Sequence, residues 1–262
     1  MKKVTAFIGS ARKQATYEAV REFEKYLKSY AEIDFEYIFL KDYHLDYCRG
    51  CKLCFDKGEE FCPIRDDRDL LIEKLNNSDG VIFATPNYSF QVSAVMKNLL
   101  DRLAFVFHRP RFFGKAFTSI VTQGIFGGGS IVKYLDNMGE NLGFRVAKGC
   151  ALKTLEPITK AAQDKNTHKI KKASARFCRE LTRSALPRPS FFRLMMFRIS
   201  RTTMKAMLND EYCDYRHYKE KGWFESDYYY SISLGPVKKL EGRIFDFMGS
   251  LMSRQNQQNG AD

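Results

Sequence analysis

The feature that most constrains the fold is the alternation of short apolar runs with amphipathic stretches over the first 155 residues. Apolar runs of strand length that alternate with helical patterns are typical of a parallel sheet covered by helices on both faces. We predict five strands, near residues 3–9, 34–40, 80–85, 115–122 and 144–152. Helices are expected at about 15–30, 67–76, 93–107 and 130–142. The sequence therefore predicts a doubly wound α/β fold with five parallel strands.

The pattern changes after about residue 155. A basic helical stretch at about 158–184 leads to a segment with two prolines, Pro187 and Pro189, which is expected to break the helix. Residues 190–208 then form an apolar helical pattern that contains several arginines, and 212–230 is rich in tyrosine. We predict two domains, an α/β domain over 1–185 and a mostly helical, aromatic C-terminal extension over 186–262.

Length and composition limit the classes of protein to which this chain can belong. With 262 residues and 44% hydrophobic content, the chain can bury a full core. The first residues turn polar too soon for a secretory signal, and the apolar tracts are far shorter than the roughly 20 residues that cross a bilayer. The sequence therefore predicts a cytoplasmic protein without a transmembrane segment.

The net charge of +12 is concentrated in one stretch. Residues 160–205 contain 13 Lys and Arg but only two acidic residues, Asp164 and Glu180. A basic surface of this kind suits an acidic partner, a phosphorylated cofactor, nucleic acid or anionic lipid. Nucleic acid is disfavoured, because the stretch lacks interleaved exposed aromatic residues on a sheet and zinc-finger histidine spacing.

The turn after the first strand has the composition of an anion site. Ser10, Arg12 and Thr16 lie between an apolar strand and a helix, where hydroxyls, a guanidinium group and backbone amides can meet a phosphate. An ordinary capped turn has the same residue types. Because neither GxGxxG nor GxxxxGK[ST] is present, a dinucleotide-binding Rossmann domain and a P-loop NTPase are disfavoured, which leaves a flavodoxin-like sheet.

The third strand runs directly into a turn that begins at Pro86. Residues 87–90 (NYSF) offer backbone amides and aromatic faces suited to a flat heteroaromatic ring. The helix that follows carries Lys97 and ends in an acid–base pair, Asp101 and Arg102, which we interpret as structural.

These motifs, GSARKQAT at residues 9–16 and TPNYSF at 85–90 together with Lys97, Asp101 and Arg102, resemble the NAD(P)H-dependent FMN reductase family of flavodoxin-like proteins. The resemblance covers about residues 1–155. It implies that the FMN phosphate is bound by Ser10, Arg12, Gln14 and Thr16. It also implies that the isoalloxazine ring is lined by Pro86, Asn87, Tyr88 and Ser89, and that the pocket is completed by Thr122 and Gly124.

Four of the seven cysteines lie in one short insert at 48–62, namely Cys48, Cys51, Cys54 and Cys62. Four thiolates at this density can bind a 4Fe-4S cluster, and the segment resembles the compact motif of iron-sulfur flavoproteins, a branch of the same family. A four-cysteine zinc site and a set of metal-free thiols remain as alternatives. The scattered Cys150, Cys178 and Cys213 are expected to be small buried hydrophobic residues.

The resemblance implies an FMN-dependent oxidoreductase. Electrons from NAD(P)H, or from a carrier such as ferredoxin, would pass through FMN to the 4Fe-4S cluster, and no side chain needs to act as acid or base. Two alternatives stay open: a cluster-free NAD(P)H:quinone or FMN reductase, and a zinc-stabilised basic binding module. A homo-oligomer is expected from the family, with a small molecule or a protein as electron donor and acceptor.

Overall fold

The computed structural model of the protein describes residues 1–259, so the last three residues of the predicted extension, 260–262, lie outside the described residues. The strands are β1 (Lys2–Ile8), β2 (Ile33–Phe39), β3 (Gly80–Pro86), β4 (Ala116–Gln123), β5 (Arg145–Val146) and β6 (Cys150–Lys153). They form one parallel sheet in the order β2-β1-β3-β4-β5, and β6 also pairs with β4. This is the flavodoxin-like order, and it confirms the predicted fold class.

The α-helices that cover this sheet follow the predicted alternation. They are α1 (Ala15–Lys28), α3 (Arg68–Asn76), α4 (Ala94–Arg102), α5 (Ala104–His108), α6 (Gly128–Asn141) and α7 (Lys160–Thr182). Another short helix, α2 (Leu53–Asp56), lies in the cysteine insert. The predicted helix at 93–107 is divided, because the amide of Leu103 bonds to the carbonyls of both Leu99 and Leu100 and so tightens the last turn of α4.

The central strands are buried at every position of β3 and β4, which is why they read as continuous apolar runs in the sequence. Phe23 of α1 and Phe177 of α7 meet on one side of the sheet, with ring centroids 5.7 Å apart. Phe83 lies edge-on to Phe117, at 5.1 Å, and both side chains are fully buried. Helices thus exclude water from the faces of the sheet. The ends of the strands are not covered in this way, so a ligand can bind there.

The predicted fifth strand, 144–152, is interrupted. Phe117 pairs with Val146, but Ile120 pairs with Cys150, so the three residues between β5 and β6 face only two residues of β4, which is a β-bulge. At the bulge, the Gly149 amide donates to Asp136 Oδ2 at 3.2 Å, and a Cβ at Gly149 would lie 2.4 Å from the Ser119 carbonyl oxygen. The strand is split because a carboxylate from α6 replaces one ladder partner.

The chain divides into two compact units, Met1–Arg49 with Ile64–Leu186, and Gly50–Pro63 with the described part of 187–262. The helices of the second unit are α2, α8 (Phe191–Met207), α9 (Cys213–Glu220) and α10 (Pro236–Asn259). The sequence did not predict α10. Arg198 and Arg201, two cations of the basic stretch, bind Asp246 of α10 at 3.0 and 2.5 Å, so part of the basic charge is neutralised within this unit.

Among the described residues, no helix is both long enough and apolar enough to cross a membrane.

Candidate functional site

A cavity of about 520 Å³ opens beyond the carboxyl ends of β1, β3 and β4. The order in which successive strands are added to the sheet reverses between β1 and β3, and α/β sheets bind ligands at such a point. Nine of the ten predicted FMN-binding residues line it: Ser10, Arg12, Gln14, Thr16, Pro86, Asn87, Tyr88, Thr122 and Gly124. Ser89 is not among the lining residues. Three separate stretches of the sequence therefore come together at one site.

The first wall of the cavity is the loop from β1 to α1. Ser10 is buried, and its Oγ donates to the carbonyl of Arg12 at 3.0 Å, which fixes the loop below the exposed Arg12 side chain. The N-cap residue of α1, Gln14, accepts no hydrogen bond from the helix through its side chain. The first amides of α1 thus lack a side-chain cap, and such a helix N-terminus attracts an anion.

Two threonines join this loop to the end of β4. Thr16 Oγ1 and Thr122 Oγ1 lie 2.7 Å apart, and both side chains are buried. One hydroxyl donates to the other. The donating hydroxyl can still accept a hydrogen bond, and the accepting hydroxyl can still donate its own proton to a further partner. The pair therefore fixes the start of α1 against β4 and can still hydrogen-bond to a ligand.

Asn87, directly after β3, connects the loop that follows β3 with the end of β4 and the loop after it. Its backbone N–H donates to the Thr122 carbonyl at 2.7 Å, and its side-chain Nδ2 donates to the Phe126 carbonyl at 3.0 Å. Its Oδ1 is buried and has no hydrogen-bond partner within residues 1–259. A buried acceptor without a donor is costly, so this atom is suited to an N–H group of a bound ring.

The turn after Asn87 has an uncommon backbone. The amides of Tyr88 and Gln91 each donate to the other residue's carbonyl, at 3.0 and 2.9 Å, so Ser89 and Phe90 form the two corners of a tight turn. Both corner residues are left-handed, with φ of 49° and 63°. This conformation favours glycine and costs about 1–3 kcal/mol per residue, and strain of this kind clusters at binding sites.

Apolar side chains surround the mouth of the cavity. Tyr88 and Leu155, which line the cavity, are more than half exposed. Phe90 and Phe126 are also exposed, and their rings are 5.4 Å apart. Aromatic side chains with free faces can cover a flat ring and displace water from it.

Six lining residues were not predicted from the sequence: Ala11, Ala15, Gln123, Thr154, Leu155 and Glu156. Gln123 lies between two predicted residues, and its Oε1 accepts a hydrogen bond from the Gly128 amide at the start of α6. Residues 154–156 directly follow β6. The position of most of them at or just after the end of a strand was the available signal, because ligands bind where parallel strands end. The helix expected at about 130–142 begins slightly earlier, because α6 starts at Gly128.

The cysteine insert lies mainly in the second unit. None of the four cysteines is in a disulfide bond; Cys48 and Cys51 are exposed, and Cys54 and Cys62 are half-buried. Arg216 of α9 binds the insert by donating to the Lys57 carbonyl at 3.2 Å. In the described part of the chain, no three His, Cys, Asp or Glu residues are arranged to hold a metal ion.

The other three cysteines are not in disulfide bonds either. Burial raises the pKa of Cys150 to about 12, so this thiol is inert at neutral pH, as expected for a small core residue. Cys178 and Cys213 are only half-buried, which differs from the expectation. Burial nevertheless raises the pKa of Cys178 as well.

Residues 2–154 match the family described as NADPH-dependent FMN reductase. An iron-sulfur flavoprotein of Archaeoglobus fulgidus is 35% identical over 132 residues, which cover 49% of this chain and 62% of that protein. An iron-sulfur flavoprotein of Methanocaldococcus jannaschii is 41% identical over 103 residues, 38% of this chain and 51% of that protein. The chain thus spans between 51% and 62% of the length of these relatives.

Among solved structures, the chain is similar to RosB with bound 8-demethyl-8-formylriboflavin-5'-phosphate, with a TM-score of 0.55 and 12% identity. That match covers 90% of this chain and 92% of RosB. An azoreductase from Bacillus anthracis gives a TM-score of 0.52 at 17% identity, over 67% of this chain and 98% of the other. At these identities the similarity shows the fold alone.

Proposed function

Because this chain belongs to the NADPH-dependent FMN reductase family, we propose that it binds FMN in the cavity beyond β1, β3 and β4 and passes electrons through it. The family predicted from the sequence is confirmed, and the relatives carry the name of the branch that the sequence resembles. NAD(P)H or a carrier such as ferredoxin is the proposed electron donor.

The observation that carries this proposal is the convergence of three distant loops on one cavity at the reversal point of the sheet. A volume of about 520 Å³ lies in the range of small-molecule and cofactor sites. The site combines an anion-binding end, formed by the loop before α1, with an apolar end, formed by exposed aromatic side chains. FMN has the same two parts, a phosphate and a flat ring.

At the anion-binding end, we assign the phosphate to Ser10, Arg12, Gln14 and Thr16. Arg12 supplies charge, and the uncapped amides of α1 supply donors. Thr16 is oriented by Thr122 at 2.7 Å, so its position does not depend on the ligand. Charged and neutral donors that are already in place reduce the entropy that binding costs.

At the apolar end, we assign the ring to Pro86, Asn87 and Tyr88, with Gly124 beside it. Asn87 Oδ1 accepts a ring N–H, since it has no other partner in the part of the chain that the structure describes. Ser89, which does not line the cavity, contributes by forming the left-handed turn that presents Tyr88 and Phe90. These side chains position the ring and exclude water from one side of it.

When bound, FMN supplies the redox chemistry, because a flavin accepts a hydride and can release electrons. The residues of the chain bind, orient and shield it. No acid or base from the chain is required at this site, which agrees with the lack of a predicted catalytic side chain.

The test is an ultraviolet-visible spectrum of anaerobically purified protein, with flavin and iron quantified per chain. We expect flavin absorption bands and about one FMN per chain, either as purified or after reconstitution. A colourless protein that cannot be reconstituted with FMN would overturn the proposal. That result, together with salt-sensitive binding to nucleic acid, would favour the basic binding module.

For the cysteine insert, we propose a 4Fe-4S cluster on Cys48, Cys51, Cys54 and Cys62. Four cysteines within one insert have the right donor chemistry. The relatives are named iron-sulfur flavoproteins, which supports the same assignment. The thiols are not gathered around a common point in the described residues, so binding would have to draw them together, as metal binding often completes local folding.

That same arrangement of thiols favours a second candidate, a cluster-free reductase that delivers electron pairs to a quinone or another acceptor. The two candidates share the FMN site and differ only in iron. Flavin bands with a broad iron-sulfur shoulder and about four irons per chain support the cluster. Flavin without iron, under anaerobic conditions and after reconstitution with iron and sulfide, supports the cluster-free reductase.

A further inference from the structure

Helix α10 packs against α8 through its small residues. Gly242, Gly249 and Ser253 are buried on this side, together with Phe245. A Cβ at Gly249 would lie 3.0 Å from the Thr202 Cβ and 3.2 Å from the Ile199 carbonyl oxygen. The two helices can therefore approach closely only because this position is glycine.

The opposite face of α10 carries the large apolar side chains. Five of them follow the spacing 3-4-3-4: Val237, Leu240, Ile244, Phe247 and Leu251. They are between 44% and 69% exposed. Met248 and Met252, also exposed, widen the stripe to roughly 140° of the helix surface at 100° per residue. A helix of a monomeric protein normally buries such residues, so this face, which we call the α10 seam, lacks its partner.

The spacing of the seam identifies the kind of partner. Apolar residues that alternate three and four apart are the a and d positions of a coiled coil, which pair with another helix of the same pattern. Val237, Ile244 and Leu251 occupy a positions, and Leu240 and Phe247 occupy d positions. In the first heptad, β-branched residues at a with leucine at d favour two helices over three or four.

We propose that the α10 seam pairs with the α10 seam of a second copy of this chain. The inference does not depend on the proposed FMN site, because α10 contributes no residue to that cavity. A two-fold axis brings the same surface of both copies together, so one self-complementary stripe is sufficient. If each seam residue, with Met248 and Met252, loses about 100 Å² of exposed surface, two copies bury about 1,400 Å² together, which is the size of a stable interface.

A lipid surface fits the seam less well. Glu241 lies within the arc of exposed apolar residues, and its Oε2 has no hydrogen-bond partner among residues 1–259. Anionic headgroups repel a carboxylate in this position. The reverse side of α10 is not a free polar face either, since it packs on α8 and binds Arg198 and Arg201 through Asp246. A helix that lies in a membrane interface has a solvated polar face.

The test is the mass of the full chain in solution, measured by sedimentation velocity over a range of concentrations. Phe247→Glu introduces a charge within the seam, and we expect it to halve the mass of the wild-type assembly. Lys239→Glu introduces the same residue at an exposed position of α10 outside the seam and should leave the mass unchanged. Ile244→Gln, at a second seam position, should weaken association without adding charge.

Far-ultraviolet circular dichroism establishes that each variant is folded, which is expected because both seam side chains are at least half exposed. Equal masses for the wild type and the folded Phe247→Glu and Ile244→Gln variants would overturn the proposal. So would a monomeric wild-type chain. A monomer that cosediments with vesicles of phosphatidylcholine and phosphatidylglycerol, and loses this binding in Phe247→Glu, would assign the seam to a lipid surface instead.

Discussion

Arg102 binds Asp66 through a two-pronged ion pair that is shielded from water. Its Nη1 donates to Asp66 Oδ2 at 2.6 Å and its Nη2 to Oδ1 at 3.0 Å, and the two side chains are 2% and 1% exposed. Arg102 Nη1 also donates to the Asp46 carbonyl at 3.0 Å. The end of α4 is thus joined to both sides of the cysteine insert, just before Cys48 and just after Cys62.

The sequence suggested a different pairing, between Asp101 and its neighbour Arg102. Adjacent residues of a helix do not face one another, whereas residues four apart do. Asp101 accordingly pairs with Lys97 at 2.5 Å, and both side chains are about half exposed. Arg102 is buried and points into the core. Arg102 thus has the structural role that we expected, but its partner, Asp66, lies 36 residues away in the sequence.

We expect Arg102→Met to lower the free energy of unfolding by about 3–5 kcal/mol, because it leaves the Asp66 carboxylate buried without its cation. Urea denaturation monitored by circular dichroism measures the change. Lys97→Met is the matched control on the same helix: its ion pair is exposed, so the loss should be no more than about 1 kcal/mol. Similar losses in the two variants would contradict the importance assigned to the buried pair.

Arg12→Ala should weaken FMN binding. A charge-assisted hydrogen bond contributes about 1.5–3 kcal/mol, so we expect the Kd to rise about 10- to 150-fold. Quenching of flavin fluorescence on titration into protein freed of flavin measures it. Arg21→Ala, an exposed arginine of α1 that pairs with Glu18 at 3.4 Å, controls for the loss of a positive charge nearby. An unchanged Kd in Arg12→Ala would remove the phosphate role of this side chain.

The strands of the sheet were predictable because burial on both faces leaves a simple signal, a continuous apolar run. The bulge between β5 and β6 was not, since it depends on the Asp136 carboxylate from α6 and on the contact of Gly149 with Ser119. Helix α10 was missed because two glycines, Gly242 and Gly249, lower its helix propensity. They are compensated by close packing on α8, which only the tertiary structure shows.

The candidate site was largely predictable for a related reason. The carboxyl ends of parallel strands all lie at the same end of the sheet. Residues directly after β1, β3 and β4 must therefore lie near one another. Residues 154–156 escaped prediction, because the bulge moves the end of the last strand to Lys153. The unpartnered Oδ1 of Asn87 and the left-handed turn at Ser89 and Phe90 depend on contacts between loops, which no local pattern encodes.

Asp136 should make stability depend on pH. Burial raises the pKa of its carboxyl group, and hydrogen bonds from Ser119 at 2.8 Å and Gly149 at 3.2 Å oppose this rise only in part. Because the folded pKa lies above the unfolded value of about 3.9, the contribution to stability is full below that pH and is lost as pH rises through the folded pKa.

Asp136→Asn cannot ionise and should abolish this dependence. We therefore expect the free energy of unfolding of Asp136→Asn to increase relative to that of the wild type as pH rises from acidic to neutral. Urea denaturation at several pH values measures the difference. Asp164→Asn, an exposed aspartate of α7, controls for the removal of one negative charge. A difference between Asp136→Asn and wild type that stays constant with pH would mean that this carboxyl does not titrate as described.

Cys54→Ser should separate the cluster from the flavin. Cys54 is a proposed iron ligand and does not line the cavity, so the variant should retain FMN and lose most of its iron. Iron and flavin are quantified per chain after anaerobic reconstitution of wild type and variant in parallel. Cys178→Ser, a half-buried thiol on α7, should keep both cofactors. If the wild type itself binds flavin but no iron, the cluster assignment is wrong and the cluster-free reductase stands, because the FMN site does not depend on the insert.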